Sequence, residues 1–183
     1  DWKMILLMSI IILFQMLLAS LIISYFQFSE YLVPVSVGAL TLTILFDARI
    51  GFMSTVAVSI LVGLMMGQNI DFVITSLFIS TVGVYNIREL RKRSQLFTTM
   101  FALIGASVIV IIAIGLFKEQ SWSKIIIDLQ ILTLNSFLAP IITYGLIGLT
   151  EMVFEVTTDL TLIELLDYDR PLLKRAQRET NGT

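Results

Sequence analysis

The chain contains no histidine and no cysteine. Without cysteine there is no disulfide, no thiolate nucleophile and no thiolate metal site. Without histidine, the commonest general base and the commonest metal ligand are both missing. Charge is scarce as well: Asp, Glu, Lys and Arg make up 14% of the 183 residues, where a soluble domain carries about 25%. The net charge of -2 offers no basic field for nucleic acid, so no such partner is expected. No HExxH pair, phosphate-binding glycine loop or Ser/His/Asp set occurs. Catalysis within this chain would fall to carboxylates alone, and neither a cofactor nor a metal is expected in it.

Apolar residues are what the sequence has in excess. They form 57% of the chain, and the mean hydropathy is +0.93, the composition of a domain whose solvent is a bilayer. The opening Asp1-Trp2-Lys3 and the 23-residue run behind it do not read as a signal peptide, because the run is too long and lacks a small-residue cleavage site. Six uncharged or nearly uncharged runs follow in order: Met4 to Phe26, Tyr31 to Phe46, Ile50 to Met66, Phe72 to Ile87, Leu96 to Phe117, and Ile125 to Thr150 with Asp128 inside it. Helix is expected in each, since backbone facing lipid must satisfy its own hydrogen bonds and no barrel-like alternation appears. The expected fold is an all-α polytopic transmembrane bundle of about six spans, residues 1–155, followed by a short amphipathic tail, residues 156–183. The runs from Tyr31 and Ile50 are short, 16 and 17 residues. They would either cross steeply or form a hairpin that does not fully cross.

Basic residues give the orientation. Arg88, Arg91, Lys92 and Arg93 crowd the loop "NIRELRKRSQ", and Arg170, Lys174, Arg175 and Arg178 lie in the tail. With Lys3 and Arg49, this places ten of the twelve on one side and only Lys118 and Lys124 on the other. The positive-inside rule makes the first side cytoplasmic, so both ends of a multi-pass protein of the bacterial inner membrane would face the cytoplasm.

Polar residues inside spans are costly and therefore informative. Asp128 lies one helical turn after Lys124, the spacing of a surface ion pair, and is also a candidate ligand or ion contact. Asn135 is the second intramembrane candidate. Gln15, Asn135 and the scattered Ser and Thr are suited to joining helices by hydrogen bonds. Glu151 and Glu155, at i and i+4, mark the cytoplasmic end of the last span, and Pro34 and Pro140 are expected to kink their helices.

The tail "TTDLTLIELLDYDRPLLKRAQRET", Thr157 to Thr180, is the one long charged stretch. Thr161 and Glu164 fit a capping box, and Leu162, Leu165 and Leu166 form a helical apolar stripe. Asp167-Tyr168-Asp169-Arg170 breaks that helix, and Pro171 suits the first turn of a second one that begins with Leu172 and Leu173. Two short amphipathic helices cannot bury their own leucines, so they need a partner surface or the membrane plane.

"FEVTTDLTLIELLDYDRPLLKRAQRETNGT", Phe154 to Thr183, resembles the junction of the 7TM-HD family of bacterial membrane-anchored cyclic-di-AMP phosphodiesterases. There a "TTDLTLLELSDLNHPLLKRL" stretch leads into the HD hydrolase domain. "LVPVSVGALTLTILFDARIGFM", with its proline span and following turn, and the basic "RELRKRSQL" carry the likeness upstream. Arg170 stands where the family usually has His, Ala176 where it has Leu, and Asn181 where it has Pro. The resemblance implies a non-catalytic bundle that couples an external signal to a cytoplasmic hydrolase acting on cyclic di-AMP. It also implies that the chain corresponds to spans two to seven of the family's bundle. The divalent metals would belong to the hydrolase domain, into which the 156–183 stretch would lead. Partners would be the lipid bilayer, an HD hydrolase domain, an extracellular sensor region or other membrane subunits. Asp159, Glu164, Leu165, Asp167, Pro171 and Leu172 are then the candidates for coupling. A small transporter, with Asp128 and Asn135 lining its path, or a structural subunit of a larger complex, are the alternatives that composition leaves open.

Overall fold

A computed structural model describes residues 2–26, 30–88 and 94–154. The described residues are helical and contain no strand. The first helix, α1, spans Trp2–Leu21 and continues as a short π-helical turn, Ile22–Phe26; a 3-10 turn, Glu30–Leu32, precedes α2, Val35–Leu45. Then come α3 Ala48–Met65, α4 Ile70–Ile87, α5 Ser94–Phe117 and α6 Trp122–Phe154. Five of these helices, all but α2, are long and apolar enough to cross a membrane. The bundle is therefore that of a multi-pass membrane protein.

Helix ends are set by local chemistry. The α3 helix stops at Gly67 and Gln68, both at positive φ (73° and 66°). Asn69 then restarts the chain: its Oδ1 accepts from Phe72 N at 3.1 Å, an N-cap for α4. The α5 helix closes on Glu119, at φ 51°. Gln120 N donates to Gly115 O at 2.9 Å and Glu119 N to Leu116 O at 3.3 Å, the pair of bonds that ends a helix through one left-handed residue. Pro140 lies inside α6, and the helix runs through it.

The short α2 takes the central place. Every residue from Val35 to Thr43 is buried, and α2 touches α1, α3, α4 and α6. Its 11 residues rise only about 16 Å, well short of a roughly 30 Å hydrocarbon layer. That is tolerable because protein, not lipid, surrounds it. Of the two short runs that the sequence singles out, the one from Ile50 thus forms a span-length helix, and the one from Tyr31 forms an enclosed shorter one. Hydroxyls line the inner faces, among them Ser54, Thr55 and Ser59 on α3 and Thr75, Ser76 and Ser80 on α4, while Ile5, Leu13, Phe101, Ile109 and Leu149 are exposed on the outer surface. Small polar residues inward and large apolar ones outward is the arrangement of a bundle solvated by lipid. Close approach is explicit at Gly51, where an added Cβ would lie 2.0 Å from Thr43 Oγ1 and 2.9 Å from the Ala39 carbonyl oxygen.

Candidate functional site

The most polar construction in the bundle surrounds Pro34. Pro34 has no N–H to donate and stands ahead of α2, where the chain passes from a 3-10 turn into the helix with irregular backbone between them. Backbone bonds serve part of this segment, Val35 N donating to Val33 O at 3.0 Å and Val37 N to Pro34 O at 3.2 Å, and in a bilayer further donors must come from side chains. Two neighbouring helices supply them. From α1, Gln15 Nε2 donates to Pro34 O at 3.3 Å and to Val35 O at 3.1 Å. From α6, Asn135 Nδ2 donates to Tyr31 O at 2.9 Å and to Val33 O at 3.2 Å. Two turns further along α6, Thr143 Oγ1 donates to Val37 O at 3.3 Å. The amide of Gln15 also occupies the space beside Gly38 where any Cβ would fall, so glycine is needed there for the clamp to close.

The connections on the Pro34 side of the bundle meet in a charged layer, here termed the head end. Asn69, which caps α4, donates its side-chain amide to the Glu30 carboxylate. Lys118, just past α5, pairs with Asp71 in the first turn of α4 at 2.5 Å. Glu30 lies in the turn ahead of α2, outside the spanning helices. Burial, and next the neighbouring Asp128 carboxylate, raise its carboxyl above the ordinary value, with Asp71 adding to this and Lys124 and Lys118 opposing it. Asp128 itself is 8% exposed, whereas Lys124 is exposed. The α6 helix thus carries Asp128, Asn135 and Thr143 on one buried face, tied into the head end and into α2.

This geometry places both intramembrane candidates. Asp128 belongs to the head-end layer and Asn135 to the clamp, as the joining role read for Gln15 and Asn135 requires. The coupling candidates Asp159, Glu164, Leu165, Asp167, Pro171 and Leu172 lie outside the described residues, as does Glu155. Sequence reasoning did not single out Glu30, Asn69 or Thr143. For Asn69 the signal was available in "NIDF", an Asn directly before an apolar helix with an acid in its first turn. Chemically the arrangement positions helices: among the described residues no group of acids is disposed to hold a metal ion.

Comparison with known proteins agrees with this architecture. The family model for the 7TM receptor with intracellular HD hydrolase matches residues 1–158. The cyclic-di-AMP phosphodiesterase PgpH of Bacillus subtilis (strain 168) is 26% identical over 179 aligned residues, covering 88% of this chain and 25% of that protein. The chain therefore spans about a quarter of the length of the curated relative it matches. No solved structure matches it significantly. With the family model covering most of its length, the chain belongs to the family of 7TM receptors with an intracellular HD hydrolase.

Proposed function

We propose that this chain is a membrane transmission domain that couples a signal arriving at its head end to a cytoplasmic HD hydrolase acting on cyclic di-AMP. The observation that carries this reading is α6. It is one helix of 33 residues, about 50 Å long at 1.5 Å per residue. In its first half, Asp128 is buried beside the head-end Glu30 and Asn135 bonds the turn ahead of α2, and past Phe154 the chain continues into the 156–183 stretch that resembles the family's junction. A continuous helix held in its first half can pass a shift or rotation on toward its end. The relative's printed activity supplies the reaction, and its metal chemistry would belong to the hydrolase domain. The charge asymmetry supports an orientation with Arg49, Arg88 and the tail on the cytoplasmic side of a bacterial inner membrane and the head end outside.

Changing Leu165 and Leu172 to Asp in the full-length protein tests the reading. Each buried leucine contributes roughly 1.5 to 3 kcal/mol, which together exceeds a typical coupling energy of about 1 to 3 kcal/mol. The double variant is expected to insert normally and to hydrolyse cyclic di-AMP at a rate no longer responsive to head-end substitutions. Full retention of that response in the double variant would contradict the proposal.

A further inference from the structure

We propose that one water molecule is held inside the bundle between α2, α4 and α6, bonded to the Ser80 hydroxyl. A cavity of about 20 Å³ lies there, lined by Tyr31, Ser36, Ser76, Ser80, Asn135 and Ser136 among others. Roughly 10 to 15 Å³ of such space suffices for one water, provided two to four polar partners surround it. The lining meets that condition. Ser80 is 1% exposed, and its Oγ finds no hydrogen-bond partner in the protein. A buried hydroxyl left so is unfavourable in any apolar medium, and most so in a membrane. Ser36 from α2 and Ser136 from α6 are buried beside the same space. Ser76 donates to Val73 O at 3.2 Å, which leaves its oxygen able to accept. Both amide hydrogens of Asn135 are engaged by the Tyr31 and Val33 carbonyls, so its Oδ1 offers acceptance alone.

Charge decides between water and a cation of similar size. No carboxylate lines the cavity, and an ion buried without an opposite charge is far costlier than a neutral molecule. Water also both donates and accepts, which the Ser80 hydroxyl can use in either sense. The site lies where residues of α2, α4 and α6 meet, and it stands whether or not α6 transmits a signal.

Water-edited solid-state NMR of the chain in lipid bilayers tests this directly. Cross-peaks from water to Ser80 and Ser136 are expected, building up more slowly than those of the exposed Ser121 in the loop before α6. S80V, whose methyl groups occupy the space and offer no hydrogen bond, should abolish the water cross-peak at Ser136. Absence of any water contact at Ser80 and Ser136 in the unsubstituted chain would overturn the proposal. So would a thermal midpoint that rises in sodium chloride over choline chloride and loses that rise in S80V, since that result would assign the site to a cation.

Discussion

Gln15 from α1 and Asn135 from α6 do the same work, each donating its side-chain amide to two carbonyls around Pro34. Replacing Gln15 by Leu removes the donors while Pro34 O keeps its bond from Val37 N, so the loss of stability should be about 1 kcal/mol, the net contribution of the lost side-chain bonds. Thermal unfolding of the purified chain measures it, and an unchanged midpoint would mean that the carbonyls are served by other groups. Glu30 makes a pH-dependent prediction. Its carboxyl is raised in the folded protein, chiefly by burial and then by Asp128, so the folded state holds that proton more tightly than the unfolded one. Stability from this group therefore grows as pH falls through the raised value and is lost as pH rises past it. E30Q removes the charge but keeps an oxygen that can accept from Asn69. Melting curves between about pH 5 and 8 should show E30Q more stable at the upper end and flatter across the range. A parallel pH profile for the two proteins would contradict this origin of the shift.

At the level of helices, the turn after α5 uses Glu119 in a left-handed conformation, φ 51°, where a side chain costs roughly 1 to 2 kcal/mol relative to glycine. E119G should therefore raise stability by about 1 kcal/mol, read from the thermal midpoint, because the closing bonds from Glu119 N and Gln120 N are kept. Gly51 predicts the opposite sign: G51A would drive a methyl into Thr43 and the Ala39 carbonyl, forcing α2 from α3 at a cost of about 1 to 3 kcal/mol. The helices themselves were legible from uncharged runs. The expected runs at Phe72 to Ile87 and Leu96 to Phe117 lie within α4 and α5 and share their C-terminal residues, because backbone facing lipid must satisfy its own hydrogen bonds. What hydropathy could not show is which run is surrounded by protein. Tyr31 to Phe46 and Ile50 to Met66 look alike in composition, yet α2 is enclosed and α3 faces outward at Met53, Ile60 and Leu64. The difference lies in long-range packing, to which a local count of apolar residues is blind. The clamp was half legible: Gln15, Pro34 and Asn135 stand out in apolar runs, but nothing local says that residues 15 and 135 serve the same turn.

For the whole molecule, the two ends of the bundle differ in kind. One end gathers Glu30, Asn69, Asp71, Lys118 and Asp128 into a paired layer, and the other carries Arg49 and Arg88, both exposed. Because the chain has no cysteine, single cysteines report topology without background. R49C should resist an impermeant thiol reagent in intact cells and S121C should label; the reverse pattern would invert the orientation. The central claim is that α6 connects the head end to the hydrolase, and its most direct test is the hydrolysis rate of cyclic di-AMP by the full-length protein carrying N135L. That change lies in the membrane, and Q130L, at an exposed position of the same helix, serves as the control. A typical allosteric coupling of about 1 to 3 kcal/mol predicts that N135L changes the rate by about fivefold or more while Q130L leaves it unchanged. Rates for N135L and the unsubstituted protein that coincide, with both proteins folded and inserted, would contradict the account.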